Sequence, residues 1–169
     1  MAPPAVEFGD DGPVTDTALP RLPASAGGLI WDGEGRLLIL EPTYKSGWTV
    51  PGGRIEADGE SPWDGLRREV LEETGLTVAS GRLVCVDFLR PRPQRPGGLR
   101  FLFDCGPIDG LPHQEIVLQA EEIRDYRWAT ASEADRLLSG PVGRRVGQAW
   151  GATTTRYLED GRPVPGVSG

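Results

Sequence analysis

The chain has 169 residues, which suits one domain that buries about two-thirds of its unfolded surface and leaves no room for a second. Its 25 acidic side chains outnumber 18 basic ones, and the net charge of -7 argues against broad, sequence-independent binding to nucleic acid or to an anionic membrane. No apolar run approaches the length of a membrane span, and the first residues lack the basic start and apolar core of a secretory signal, so we expect a cytoplasmic protein.

The domain itself is predicted at residues 23–158, between a flexible arm at 1–22 and a loose tail at 159–169. The arm is rich in Pro, Gly and Asp and has few large apolar side chains with which to order itself. Within the domain, two apolar runs at 25–31 and 35–43 are separated by an Asp-Gly-Glu-Gly turn signal. They predict a β-hairpin.

A helix is predicted over residues 62–74. Ser61 is a suitable N-cap, Pro suits the first helical turn, and Gly75 is typical of a helix end. At about 100° per residue, one side of this helix is apolar and the adjoining side is acidic. The acidic side consists of Glu69, Glu72 and Glu73. Like charges at this spacing repel each other, and oxygen ligands at close quarters suit a hard cation such as Mg2+, so the pattern indicates diphosphate chemistry.

After this helix, an alternating segment at 77–88 predicts a strand, and its partner is predicted at 99–105. The sequence between them, RPRPQRPGG, is too long and too rich in proline for a tight turn. Positive charge is concentrated here at Arg90, Arg92, Arg95 and Arg100. One or more of them, with Arg90 and Arg92 as the first candidates, would clamp a substrate phosphate through the planar guanidinium group. The alternative is an extended loop whose arginines only keep it solvated.

The C-terminal part predicts two more strands and two helices. Residues 116–118 and 123–129 have strand-like patterns. A capping box at Thr130 opens a short helix through Leu138, and a last helix is predicted from Pro141 to about Leu158. Both cysteines lie in strand-like runs and are interpreted as small buried side chains.

The stretch from Pro51 to Leu76 resembles the Nudix box. That pattern is Gly, five residues, Glu, seven residues, Arg-Glu, an aliphatic, any residue, Glu-Glu, any residue, Gly and an aliphatic. Residues 68–76 match its second half at every position, and Glu60 has the required spacing from Arg68. Two positions depart from it: six residues rather than five separate Gly53 from Glu60, and Gly65 replaces the usual Ala. Taken without its flanks, the segment would be an ordinary surface helix with a charged face.

The resemblance implies an α/β fold, a Nudix-type α/β/α sandwich with a mixed β-sheet. It also implies a hydrolase that uses Mg2+, or Mn2+, to cleave a diphosphate bond in a nucleoside diphosphate derivative. By the same resemblance, Glu69, Glu72 and Glu73 would ligate the metal together with a backbone carbonyl of Gly52 or Gly53. The alternative is a Nudix-fold protein that binds or senses a nucleotide without cleaving it. Dimers are frequent in this family, and a homodimer is left open.

Three further roles inside the box follow from the resemblance. Arg68 would orient a glutamate through a charge-assisted hydrogen bond, although a surface salt bridge is the alternative. Glu72 would share in ligation or accept a proton from the attacking water. Gly53 and Glu60 would support the loop, the latter near the helix N-terminus, where negative charge is favourable.

The general base of this family often comes from outside the box. Glu122, in a predicted loop before a strand, is our preferred candidate, and Glu121 and Glu115 are alternatives. His113 is the only histidine and titrates in a suitable range, but a lone loop histidine beside a proline is more often a bystander. Tyr44, in the loop after the hairpin, is the candidate for stacking on a nucleobase.

Overall fold

The computed structural model describes residues 21–108 and 115–167, so most of the predicted arm and His113 lie outside the described residues. No helix among them combines the length and the apolar character that a membrane crossing requires. In chain order, the elements are β1 (Ala24–Trp31), β2 (Leu37–Pro42), β3 (Gly52–Arg54), α1 (Pro62–Thr74), β4 (Arg82–Leu89), β5 (Gly98–Pro107), β6 (Ile123–Ala129), α2 (Ala131–Leu137), α3 (Gly140–Ala149), β7 (Arg156–Glu159) and β8 (Arg162–Pro163).

The strands form one mixed sheet in the order β6-β2-β1-β5-β4-β7-β8, with β3 paired to β1 beside this path. The β1–β5 and β4–β7 pairs are parallel, and the other pairs are antiparallel. The predicted hairpin is β1–β2, and the predicted pair after the helix is β4–β5, although β4 begins at Arg82 rather than at Thr77. The predicted α/β class with a mixed sheet is confirmed.

The two faces of the sheet carry separate cores, because successive side chains along a strand point to opposite faces. One core joins the sheet to α2 and α3 and includes Leu29 and Cys85. The other joins the sheet to α1 and includes Ile30, Leu66 and Cys105. Both cysteines are buried and free. Burial of a side chain such as that of Leu66 contributes about 1.5–3 kcal/mol, so these contacts hold α1 firmly on the sheet.

Helix α1 has the ends that its sequence predicts. The Ser61 side chain accepts a hydrogen bond from the Asp64 amide at 3.1 Å, which satisfies one free donor of the first turn. Gly75 adopts a left-handed conformation with φ of 71°, and its amide donates to the Leu71 carbonyl. Both ends are therefore fixed by local bonds, and the acidic side keeps a defined orientation.

Residues 116–118, predicted as a strand, lie along the end of α1 and not in the sheet. The Val117 amide donates to the Thr74 carbonyl at 2.9 Å, and the Gln119 amide donates to the Glu73 carbonyl at 3.2 Å. These bonds satisfy carbonyls that the last helical turn leaves without partners. The strand prediction is wrong because a short apolar run does not show whether its backbone pairs with a strand or with a helix end.

The last helix is shorter than predicted. It ends at Ala149, and Gly151 then takes a positive φ of 67°, which turns the chain out of the helical path. The chain continues as β7, parallel to β4, and its hairpin with β8 extends to Pro163. The predicted domain boundary at 158 therefore falls inside a strand, and the first part of the predicted loose tail is paired.

A buried ion pair joins β4, α3 and the β7–β8 turn. Asp87 is fully buried, and Arg145 is 8% exposed. The Arg145 Nε donates to one Asp87 carboxylate oxygen at 2.9 Å, and the Gly161 amide donates to the other at 2.9 Å. Both oxygens are thus satisfied and the charge of Arg145 is compensated, which is the condition for a buried charge to be tolerated.

Candidate active site

The glycine loop and α1 touch at the start of β3. A Cβ atom added to Gly53 would lie 2.4 Å from Glu69 Cδ, and one added to Gly52 would lie 2.2 Å from the Ala26 carbonyl oxygen. A side chain at residue 52 would require the backbone to move, and one at residue 53 would displace the Glu69 carboxylate. The Gly52 amide also donates to Glu73 Oε2 at 2.9 Å. The two glycines therefore bring the backbone directly against two of the predicted metal ligands.

These two glutamates hold carboxylates in a poorly hydrated place. Glu73 is 3% exposed, and burial, with the negative charges of Glu69 and Glu122, raises its pKa to about 8 despite the hydrogen bond from Gly52. Burial likewise raises the pKa of Glu69, although a hydrogen bond from Arg68 opposes the shift. A bound cation would favour the charged form of both groups. A positive ion that entered the site would therefore offset the free-energy cost of keeping both carboxylates ionised.

The donor set fits a hard divalent ion. Within residues 21–108 and 115–167, no three His, Cys, Asp or Glu side chains already converge to hold a metal. Glu72, the third predicted ligand, has a half-exposed side chain and pairs with Arg68 at 3.2 Å. The Glu69 and Glu73 carboxylates beside the glycine backbone nevertheless suit Mg2+, which commonly takes one or two carboxylates and completes its shell with water and substrate oxygens.

Arg68 ties the acidic side of α1 together. Its Nε and Nη2 donate to the two carboxylate oxygens of Glu60 at 2.8 and 3.1 Å. Its Nη1 donates to Glu69 at 3.0 Å and to Glu72 at 3.2 Å, and Nη2 also reaches the Arg54 carbonyl. One guanidinium group thus contacts three glutamates and the strand β3. Its planar fork fixes these directions better than a flexible ammonium group would.

Glu60 anchors the loop that carries the extra residue. Besides Arg68, it accepts a hydrogen bond from the Glu56 amide at 2.8 Å, which closes the exposed turn at 57–59. A Cβ atom on Gly65 would lie 3.0 Å from a Glu60 carboxylate oxygen, so the glycine leaves room for this carboxylate. Glu60 therefore fixes the end of this loop to the side of α1.

Glu122 lies close enough to the glutamates to influence them. Its negative charge contributes to the raised pKa of both Glu69 and Glu73. The Thr43 amide donates to the Glu122 carbonyl at 2.8 Å, which fixes this loop to the end of β2. The Gln119 amide donates to the Glu73 carbonyl and the Glu122 amide donates to the Gln119 carbonyl, which attaches the loop of the preferred base candidate to the end of α1. His113 lies outside the described residues.

A cavity of about 370 Å³ opens beside the glycine loop. Gly52, Gly53 and Tyr44 contribute to its lining, so the residue predicted to stack on a nucleobase stands beside it. Tyr44 is 66% exposed, which leaves its ring available for contact. Such a volume lies within the range of ligand pockets.

The structure separates the arginines of the basic run into two groups. Arg90 and Arg92 do not line this cavity; they pair with Glu159 and Asp160 at the β7–β8 turn. Arg95 and Arg100, from the same basic run, line the cavity, as do Lys45, Arg54 and Arg145. The composition of the run indicated an anion site, but it held no signal for which arginines face it.

A family model agrees with this arrangement. The model of the NUDIX domain matches residues 21–149. The chain belongs to the Nudix family. A MutT-like protein from Streptomyces ambofaciens is 30% identical to this Nudix chain over 127 residues, which cover 75% of the chain and 76% of that protein. The predicted family is thereby confirmed, and the chain is a Nudix hydrolase, of a class that generally acts on nucleoside diphosphate derivatives with a divalent metal ion.

Two solved structures illustrate the shared fold. A UDP-X diphosphatase has a TM-score of 0.65 and 18% identity, covering 86% of this chain and 70% of that one. The NUDIX domain of Shewanella oneidensis NrtR, complexed with ADP ribose, has a TM-score of 0.64 and 16% identity, covering 79% of this chain and 90% of that one. At these identities the likeness shows the Nudix fold alone.

Proposed function

We propose that this Nudix hydrolase uses Mg2+, or Mn2+ in its place, to cleave a diphosphate bond in a nucleoside diphosphate derivative by attack of water on phosphorus. The observation that carries the proposal is the contact of Glu69 and Glu73 with the Gly52–Gly53 backbone beside the 370 Å³ cavity. Carboxylates with raised pKa values in such a place are typical of functional sites.

Each side chain of the site has a distinct task in this proposal. Glu69 and Glu73 would hold the cation, with Glu72 as an additional ligand and Gly52 supplying its backbone carbonyl. When bound, the cation supplies Lewis-acid chemistry, because it offsets the negative charge of the diphosphate. Arg68 keeps the carboxylate of Glu69 oriented through its bond at 3.0 Å. This orientation determines how well the cation and the substrate are aligned.

The proton of the attacking water goes to Glu122 in our scheme. The oxygen of the water forms a bond to phosphorus, the bridging P–O bond breaks, and the leaving phosphate takes the bonding electrons. Glu122 suits the acceptor role because it lies on a loop outside α1 that is hydrogen-bonded to the end of that helix, and its charge acts on both Glu69 and Glu73. Glu72 is a less suitable acceptor, since its carboxylate already accepts a hydrogen bond from Arg68 at 3.2 Å.

A substrate panel tests the proposal. Sugar nucleotides, ADP-ribose, dinucleoside polyphosphates and nucleoside triphosphates would be incubated with Mg2+ or Mn2+, and nucleotide and phosphate products would be quantified. We expect Glu73→Gln and Glu122→Gln each to lower kcat/KM by about 100-fold or more, since one loses a ligand charge and the other the base. Glu121→Gln, at the neighbouring alternative base, should stay within about threefold of the wild type; a larger loss there than in Glu122→Gln would move the base role to Glu121.

The opposing possibility is a protein that binds a nucleotide without cleaving it. The NrtR domain complexed with ADP ribose shows that a protein of this fold has been observed with such a ligand. If the wild type and Glu73→Gln both bind a nucleotide in thermal-shift measurements, and neither releases any product, the hydrolase proposal is overturned. Turnover that persists in Glu73→Gln at wild-type rate would remove the metal-ligand role of Glu73.

A further inference from the structure

The cavity beside the glycine loop is strongly basic, although the protein as a whole is acidic. The described residues that line it include no Asp or Glu but five basic residues. These are Lys45, Arg54, Arg95, Arg100 and Arg145. With a net charge of -7 on the whole chain, such a concentration of positive charge is not a consequence of composition.

Most of this charge lacks an acidic partner. Arg145 is neutralised by Asp87. For Lys45, Arg54 and Arg100, by contrast, no described acidic group lies within ion-pair distance. Arg100 donates only to backbone carbonyls, those of residues 97 and 99, at 3.3 and 2.9 Å. The burial of Arg100 and the positive charges of Arg145 and Arg95 together lower the pKa of its guanidinium group, as crowding of like charges requires.

Arg95 is held with unused hydrogen-bonding capacity. Its Nη2 lies 3.5 Å from an Asp160 carboxylate oxygen, and that carboxylate is shared with Arg92. The Nε atom of Arg95 is buried and has no hydrogen-bond partner. A buried donor without an acceptor costs free energy, and an acceptor that reached it would remove that cost.

We propose that the cavity binds a phosphate group on the part of the substrate that lies beyond the cleaved diphosphate, with Arg95 and Arg100 as its principal ligands. The inference rests on the proposed function and defines its substrate class as a nucleoside diphosphate derivative whose second part is itself phosphorylated. A neutral group would leave the cations partly desolvated without compensation. A phosphate dianion would accept hydrogen bonds from the guanidinium forks and offset the repulsion between them.

The same dianion has two chemical sources. It is either a phosphate monoester on the second part, or a further phosphate of a polyphosphate chain. Two substrate pairs separate them: NADH with NADPH, which differ by one ribose phosphate, and diadenosine diphosphate with diadenosine tetraphosphate, which differ in chain length. The wild type should prefer the more phosphorylated member of at least one pair by about 10-fold or more in kcat/KM at low salt, and less at high salt.

Substitutions then show which residues produce the preference for the more phosphorylated substrate. Arg100→Gln should reduce it to about threefold or less, whereas Arg100→Lys should retain part of it because the charge remains. Arg90→Gln is the matched control, since Arg90 pairs with Glu159 and does not line the cavity. If Arg100→Gln fails to fold, Arg54→Gln at an exposed position of the same lining replaces it. Equal treatment of both members of each pair, or an equal loss in Arg90→Gln, overturns the inference.

A binding measurement separates this inference from the proposed function. Inorganic tripolyphosphate would be titrated calorimetrically into the wild type and into Arg100→Gln in the presence of EDTA, so that no metal contributes. Binding weakened about fivefold or more by the substitution supports the anion site. If that result appears but no diphosphate is cleaved, the proposed function fails and the anion site stands. Cleavage without charge preference, together with tripolyphosphate binding that is insensitive to Arg100, overturns the anion site alone.

Discussion

Without metal, the Glu73→Gln variant should become more stable than the wild type as the pH rises. In the native state burial raises the pKa of this carboxyl from 4.5 to about 8, so between these values the folded protein binds more protons than the unfolded chain. Stability is then lost as the pH rises through this window, because the deprotonated form is disfavoured only in the native state. Glutamine has no charge to lose, so the variant should not show this contribution.

The size of the effect follows from the width of the window. One pKa unit corresponds to about 1.4 kcal/mol, and pH 5 to pH 7 lies within the range from 4.5 to about 8. Over these two pH units the wild type should lose about 3 kcal/mol of unfolding free energy relative to Glu73→Gln. That is a large part of the 5–15 kcal/mol typical of a folded domain. Saturating Mg2+ should reverse the order, since it binds the native wild type more tightly than the variant.

Urea unfolding in EDTA, followed by fluorescence of the five tryptophans, measures the effect at pH 5, 6, 7 and 8. Glu56→Gln, at an exposed position of the neighbouring loop, is the control and should track the wild type at every pH. If the free-energy difference between the wild type and Glu73→Gln is the same at pH 5 and pH 7, the reasoning about this buried carboxyl is refuted.

Three other predictions test separate parts of the structure. Arg68→Lys keeps the charge but loses the planar fork that contacts three glutamates. We expect kcat to fall about 10-fold or more while the melting temperature changes little. An unchanged kcat would contradict the positioning role of Arg68. Asp87→Asn should lower the free energy of unfolding in urea by about 3–5 kcal/mol, because Arg145 stays charged and buried. The double variant Asp87→Asn with Arg145→Gln should lose less than the sum of the two single variants. Strict additivity would argue against a coupled pair. Burial raises the pKa of Cys85 and of Cys105 to about 12. Iodoacetamide at pH 8, followed by mass spectrometry, should therefore modify both thiols at least about 100-fold more slowly in the native protein than in the urea-unfolded protein. Similar rates in the two states would show that the thiols are accessible.

Helix α1 was predictable because its determinants are local. Ser61 and Gly75 define its ends through bonds to residues three and four positions away, and the helical period alone places the glutamates on one side. The capping box of α2 was predictable for the same reason: the Thr130 side chain accepts a hydrogen bond from the Glu133 amide, and the Glu133 side chain accepts one from the Thr130 amide. Where the bonds that decide a structure lie within one turn, the sequence contains the answer.

The arginine assignments depend on contacts that are distant in sequence. Arg92 and Arg95 are directed by Asp160, which is 68 and 65 residues further along the chain. Asp160 is itself buried and has a positive φ of 51°, a conformation fixed by a hairpin that the sequence did not indicate. Because the last helix was predicted to run through residue 158, no partner for the arginines could be identified, and composition alone left them equivalent.

The extra residue before Glu60 lies in a loop that is anchored to α1 on both sides of the insertion. On one side, Gly52 and Gly53 are fixed by contact with β1 and with the glutamates of α1. On the other, Glu60 is fixed by Arg68 and by the Glu56 amide. The exposed turn at 57–59 lies between these anchors. In this chain the extra residue is therefore accommodated in the exposed turn, while the residues on both sides of it keep their contacts with α1.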